Sequence, residues 1–492
     1  MPARTTFPTV AVSAALLVAS AGRPACAAPA DDWSRFRGPH GSGVSETSGV
    51  PLEIGPEQNV IWKADCGRGL SSPIVVGNRL FYTSFRDDER FVHCVDAVTG
   101  AELWSKAFPK LHSEPATPPS GAANPTPVAD RSSVYVFFPD AGLACFSHAG
   151  DERWRIDPGP FKSFHGVSSS LVVADGLVVL LVDQVEDSFM AAYDSRDGKS
   201  VWKIKRDDGP LGGYSTPSTR QSAERNQSAG GNSELVVSGP TEVAAFNPLD
   251  GKQRWSLAGY TNAPISAPVI AGNRVFVCEP SFSENPFKFE MLLPFDKDKD
   301  GKVSLDELKS QVQLYRAAKL VDERSGNGDG IVERAELDRA FAGFVGGGGL
   351  VAIQLDQVDG QTKPRVLWTY RKLVPNIASV LLYRDVLFFV NQGGILTSMD
   401  PATGKIIKQA RLGHGSGYYA SPVASEGRIY LIDVDGKLAV VSAEPEWNPL
   451  FTSDFGESCR ATPAIANGRI YVRTEKTVYC FGRKDDKPTG MP

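Results

Sequence analysis

The sequence predicts an all-β fold, an eight-bladed β-propeller, and three observations carry that prediction. The first is a returning pattern of small residue, apolar residue, Asp or Asn, glycine turn and tryptophan, clearest in Cys94 to Trp104, Ala192 to Trp202 and Ala245 to Trp255. Self-similarity at blade-length intervals marks a repeat architecture. A copy one residue shorter runs from Cys145 to Trp154, and the copy from Ser398 to Lys408 has lost the tryptophan. The second is composition: 48 glycines and 35 prolines in 492 residues, with little long helical periodicity. That suits short strands joined by tight turns. The third is a set of eight repeat starts, at Ser71-Ser72-Pro73 and then near Pro127, Ser170, Pro217, Pro268, Ser379, Pro422 and Pro463.

In chain order, residues 1–27 read as an export signal. Arg4 precedes an apolar stretch from Val10 to Ala21, and Ala25-Cys26-Ala27 offers a small-residue cleavage site. The stretch is too short to span a bilayer. Lipidation of Cys26 is the alternative, in the unfavourable context of Arg23-Pro24. Residues 28–58 form an extended N-terminal segment, and 59–281 carry blades 1 to 4 with the first part of blade 5. Residues 282–349 interrupt the repeat, 350–484 complete it, and 485–492 are a charged tail.

Each repeat reads as four antiparallel strands, A to D, with tight turns between A and B and between C and D. Gly77-Asn78, Glu426-Gly427 and Asn467-Gly468 are hairpin signals between apolar runs. The last repeat supplies only three strands, from Thr462 to Phe481. Asn59-Val60-Ile61-Trp62-Lys63 carries a tryptophan where its strand D belongs, so one N-terminal strand would close the ring and remove both free edges. Trp62, Trp104, Trp154, Trp202, Trp255 and Trp368 then fall on strand D of six blades. Each buries ~150–250 Å² when packed, so a role at blade junctions is expected.

Six cysteines remain after cleavage in an oxidising compartment, which raises the question of disulfides. Cys94, Cys145 and Cys480 occupy the slot filled by Ala192, Ala245 and Ala352 elsewhere, and are expected to pack as small hydrophobes. Cys66 and Cys459, each just before a blade, are the one pair considered for a bridge.

The repeated A-x-D-x-x-x-G-x-x-x-W pattern resembles the tryptophan-docking motif of PQQ-type propellers. That group includes quinoprotein alcohol dehydrogenases and the propeller lipoprotein of the outer-membrane β-barrel assembly machinery. Trp33-Ser-Arg-Phe-Arg-Gly-Pro39, with Asn59 to Trp62 and Gly69 to Pro73, resembles exported PQQ-like propellers of planctomycete-type bacteria. The resemblance covers nearly the whole mature chain and implies fold more than function.

The interruption in blade 5 holds a full EF-hand loop, Asp296-Lys-Asp298-Lys-Asp300-Gly301-Lys302-Val-Ser304-Leu-Asp-Glu307. Such a loop wraps Ca²⁺ with oxygens from Asp296, Asp298 and Asp300, the Lys302 carbonyl, Ser304 or its water, and both Glu307 oxygens. A second loop supplies Ser325, Asn327, Asp329, Ile331, Glu333 and Glu336, with serine where the first carboxylate belongs, which predicts weaker binding. Pro294 disturbs the helix before the first loop, so a compact, non-opening pair is expected. Strand parity puts B-to-C and D-to-A connections on one face of the ring, and the insert therefore overhangs that face. The D-to-A loops offer a funnel of Asn124, His165, Tyr214, Asn262, Asn376, His414 with Tyr418, and Arg460, a candidate site for a small ligand or peptide.

A net charge of -5 gives no electrostatic case for nucleic acid. Quinoprotein dehydrogenases that resemble this fold carry adjacent cysteines over the quinone; this chain has no Cys-Cys pair, and PQQ is not expected. The expectation is a monomeric, non-catalytic, Ca²⁺-binding propeller exported to the periplasm or cell surface, a scaffold for an envelope protein partner. The alternatives are a Ca²⁺-dependent polysaccharide- or small-ligand-binding module and a PQQ-dependent dehydrogenase.

Overall fold

A computed structural model describes residues 32–483, apart from 115–116, 164, 210–211, 222–232, 259–262, 283–287 and 341–346. The predicted export signal, with Cys26, and the tail from 485 lie outside the described residues. Eight four-stranded antiparallel sheets follow one another around a ring. Seven of them span 74–109, 128–156, 172–205, 218–258, 269–370, 381–411 and 423–454, and are blades 1 to 7. Blade 8 takes three strands from 464–481 and its fourth from Val60–Asp65, which pairs antiparallel with Thr477–Phe481, Trp62 opposite Cys480.

Burial explains the sequence of each strand. Leu177–Val182 and Phe189–Asp194, strands B and C of blade 3, are buried throughout, because neighbouring blades cover both faces. A continuous apolar run fits that environment. Strand D is the outer edge: Glu102–Pro109 is mostly exposed and carries charge, which discourages edge-to-edge pairing. Hydrophobic clusters sit between blades, as where Tyr135, Phe137 and Trp154 of blade 2 meet Leu180 and Phe189 of blade 3.

The tryptophans dock on the next blade. Trp62 Nε1 donates to the Ala97 carbonyl at 3.1 Å, Trp104 to His148 at 3.1 Å, Trp154 to Ser195 at 3.1 Å, Trp202 to Pro248 at 2.9 Å and Trp368 to Pro401 at 3.2 Å. Each ring lies on that turn's glycine: a Cβ on Gly100, Gly150, Gly198, Gly251 or Gly404 would stand 2.6–2.9 Å from it. These glycines also hold positive φ, so two independent constraints select the residue. Two junctions differ. Trp255 faces blade 5, whose C and D strands extend to a hairpin at Asp359-Gly360, and its indole N–H has no partner among the described residues. At blade 6, Lys408 fills the slot and donates to the Trp447 carbonyl at 2.6 Å, the tryptophan now coming from the turn of blade 7.

The six described cysteines are free and buried, so the bridge considered between Cys66 and Cys459 is not formed. The Cys66 thiol meets the backbone carbonyl of Thr474 at 3.8 Å instead, and the Cys459 thiol that of Arg473 at 3.3 Å. Burial pushes the Cys459 thiol up to about 12, leaving it an inert packing group.

The N-terminal segment does more than run extended. Trp33 exchanges backbone hydrogen bonds with Val75 of blade 1, and Ser34 accepts from Ala129 of blade 2. Arg35 donates to the Pro217 carbonyl entering blade 4, and Arg37 to that of Val380 before blade 6 at 2.8 Å. Gly43 and Ser45 bond Ala424 of blade 7, and Thr47 accepts from Gly468 of blade 8 at 2.8 Å. The segment thus crosses the ring at the far ends of the A strands and stoppers one mouth of the channel.

Between strands B (Arg274–Phe282) and C (Gly347–Val358) of blade 5 lies a small unit with its own core. It contains helices α1 (Val312–Ser325) and α2 (Arg334–Ala340) and a two-residue ladder in which Val303 pairs with Val332. Short 3₁₀ turns, Phe289–Met291 and Leu293–Phe295, replace an entering helix at Pro294. Phe289, Leu292, Val303, Leu308, Ala318, Val321, Val332 and Leu337 pack together. No helix among the described residues is long and apolar enough to cross a membrane.

Candidate functional site

The channel is built from the residues that lead into the A strands. Ser72, Thr126, Ser170, Thr216, Ser379, Ser421 and Thr462 form a belt in which each hydroxyl accepts the backbone N–H of the preceding blade. The links are Ser72 N–H to Thr126, Thr126 to Ser170, Ser170 to Thr216, Ala267 to Ser379, Ser379 to Ser421, Ser421 to Thr462 and Thr462 to Ser72, all at 2.9–3.0 Å. The link from Thr216 is missing because its counterpart, Ala267, has no hydroxyl. The belt satisfies backbone donors that face the axis, where no strand can reach them.

Above the belt opens a cavity of about 430 Å³, with Phe36 of the N-terminal segment among its walls. Of the funnel residues predicted from sequence, Asn124, His165, Tyr214 and Arg460 line it. His165 Nδ1 meets Thr117 Oγ1 at 2.9 Å and its ring lies 5.7 Å from that of Tyr214. Arg460 spans toward the Tyr419 ring, 5.8 Å away.

The remaining funnel residues do not join. His414 is held by the buried Asp433 carboxylate at 3.1 Å, and Tyr418 is itself buried, so both serve the loop. Tyr419 lines the cavity in its place, since successive side chains of an extended segment point to opposite sides. Asn376 is exposed and outside the lining, and Asn262 lies outside the described residues. Among the described lining residues Arg460 alone carries positive charge, and none carries a carboxylate.

In the loop joining blades 1 and 2, Glu114 sits 3.0 Å from His112 and accepts the Phe161 N–H at 2.9 Å. Burial pushes its carboxyl up to about 7, against those two partners. The folded chain therefore holds this proton more tightly than the unfolded one. Its contribution to stability is present below about 4.5 and is lost as pH rises through about 7. Glu114→Gln should raise the thermal midpoint at pH 8 and leave it unchanged at pH 4; equal shifts at both would refute the assignment.

In the first acidic loop the carboxylates already converge: one oxygen each from Asp296, Asp298 and Glu307 lie within 4.8 Å of one another. Asp296 Oδ2 accepts the Gly301 N–H at 3.0 Å, and Asp300 Oδ1 that of Lys302 at 2.7 Å. The N–H groups of Lys297 and Ser304, with the Ser304 hydroxyl, hold the Glu307 carboxyl below its ordinary value. Oxygen-only donors on a twelve-residue turn suit a hard divalent cation. The Lys302 side chain turns away to Glu333 at 2.6 Å, which leaves its carbonyl as the group available to an ion.

In the second loop Ser325 is also the last residue of helix α1. The Gly330 N–H, counterpart of Gly301, is held by Asp322 Oδ2 at 3.0 Å. Glu336 accepts from Asn327 N–H at 3.2 Å and Glu333 N–H at 3.1 Å, and the Asn327 amide donates to Asp329 at 2.9 Å. Ile331 stands on the ladder beside Val332. Sequence spacing pointed to Ser325; the carboxylate at Asp322 lay outside the twelve-residue window.

The ring geometry defines the class: an eight-bladed propeller of the PQQ-like type, with few helices. The chain belongs to the family described as outer membrane protein assembly factor BamB, whose profile matches residues 54–119, 92–285 and 338–488. The matched stretches leave out 286–337, where the small helical unit lies. The outer membrane protein assembly factor BamB of Shewanella oneidensis is 22% identical over 424 residues, covering 81% of this chain and 92% of that protein. Among solved structures, BamB from Moraxella catarrhalis superposes with a TM-score of 0.50 at 10% identity, covering 86% of this chain and 98% of that one. Quinohemoprotein alcohol dehydrogenase from Comamonas testosteroni superposes with a TM-score of 0.56 at 13% identity, covering 94% and 82%. At such identities these structures speak for the fold alone.

Proposed function

We propose that this protein is an exported, non-catalytic, calcium-binding scaffold of the cell envelope that engages a protein partner through its D-to-A face. The family assignment supports a protein-interaction role, since the family and the relative matched by sequence are described as assembly factors. The observation that carries the choice of face is the N-terminal stopper: residues 32–47 cross one mouth of the channel, and among the described residues the cavity is lined by the loops of the other. That face also carries exposed large apolar side chains, Leu111 and Leu373 on D-to-A loops and Met291 and Leu293 on the insert. Calcium at the first acidic loop would rigidify the insert beside the mouth.

A redox quinone is not favoured by the donor set. Such a cofactor is a polyanionic ring that needs cations around it, a bound metal and a carboxylate base. The funnel's described lining offers one arginine and no carboxylate.

Photocrosslinking residues placed at Leu111 and Leu373 should trap a partner in native envelopes, more so with Ca²⁺ than after chelation, whereas one at Leu103 on the strand-D rim should not. Equal trapping from the rim would count against this face. Calorimetry should show that Asp296→Ala with Glu307→Ala abolishes the stronger Ca²⁺ site; unchanged binding would defeat the calcium assignment.

A further inference from the structure

We propose that the second acidic loop is also a divalent-cation site, and that Asp322 on helix α1 is one of its ligands. The metal rests on the calcium reading of the first loop; the ligand set is independent of it. In the first loop the carboxylate that holds the turn glycine is Asp296, five residues before Gly301. In the second it is Asp322, eight residues before Gly330, and the Asp322 carbonyl also accepts the Gly328 N–H at 3.2 Å. The loop is therefore expanded by the last turn of the helix, and it regains the charge that the serine lacks.

Asp322 is only 2% exposed, and its Oδ1 has no hydrogen-bond partner among the described residues. A buried carboxylate oxygen without a donor is costly unless a cation meets it. Glu336, 5% exposed, faces it across Gly326, where a Cβ would collide with both Glu336 Oε1 and the Asp322 carbonyl. Glycine at that point lets the two buried carboxyl-bearing segments close on one space. Asn327, Asp329 and the Ile331 carbonyl complete an oxygen set of the kind calcium takes. Among the described residues three carboxylates converge within 4.8 Å in the first loop only, and in the second Asp329 is engaged by the Asn327 amide. Asp329 must exchange that hydrogen bond for the ion, so the second site is the weaker.

Native mass spectrometry and calorimetry on the full mature chain with Ca²⁺ test this. The unsubstituted protein should bind two ions. Asp322→Asn, which keeps an oxygen for the Gly330 N–H, should bind one, with the tighter affinity changed by less than about threefold. Asp329→Ala, at an exposed position, should also lose the weaker ion, and Ser325→Ala should keep both. Glu307→Gln should lose the tighter ion and retain the weaker. Two ions bound by Asp322→Asn would overturn the proposal, as would a single ion in the unsubstituted chain that Glu307→Gln removes. The second result leaves the first calcium site standing, whereas no binding by any form defeats both.

Discussion

Trp62→Ala should cost about 3–5 kcal/mol and, in a ring of this size, lower the thermal midpoint by roughly 3–5 °C. Trp62 is buried on the strand that completes blade 8, beside Tyr471, and it lies flat on Gly100 of blade 1. Removing it opens a cavity at the junction where the two ends of the ring meet. The Ala97 carbonyl it bonds keeps the Tyr471 hydroxyl at 3.2 Å, so the loss is mainly of packing. Proteolysis should then cut near residue 59 faster than in the unsubstituted protein. Trp255→Ala is the control: its indole N–H has no partner among the described residues and its strand is internal to the chain. Equal proteolytic release of the N-terminal strand by both substitutions would show that Trp62 has no special part in holding it.

Arg37→Ala should be comparably damaging, by about 3–5 kcal/mol. Arg37 is fully buried and donates to the carbonyls of Gly41 at 3.0 Å, Ser42 at 3.0 Å and Val380 at 2.8 Å. Burial pulls its guanidinium down to about 9, so it stays charged at neutral pH, its charge met by carbonyl oxygens. Alanine would strand those carbonyls and leave a void beneath the channel. Arg37→Lys should recover only part of the loss, because an ammonium cannot reproduce the planar fork. Hydrogen exchange should rise across residues 32–50 in the alanine variant. Protection unchanged from the unsubstituted protein would show that the stopper does not depend on this side chain.

Much of the candidate site was legible because repetition supplies its own alignment. The first acidic loop is contiguous, so the order of its side chains around an ion follows from the chain itself. The funnel was legible by loop but not by residue: His165 and Tyr214 line the cavity, while Tyr418 yields to Tyr419 and His414 is spent on Asp433. Which of two neighbours faces the axis depends on a local backbone rotation that composition does not record. Asp322 escaped notice because a helix turn, not a loop spacing, brings it to Gly330.

The sequence by itself determined the repeat, the glycine of the turn in each copy of the pattern and the calcium-type spacing at Asp296, because each is written within one blade or one loop. Only the tertiary structure decided that Arg35 and Arg37 thread a stopper through the ring, that Cys66 and Cys459 stay apart, and that the axial belt breaks at Ala267. Those features join residues from different blades. Their partners are selected by where the closed ring places carbonyls and cavities, which no local pattern encodes.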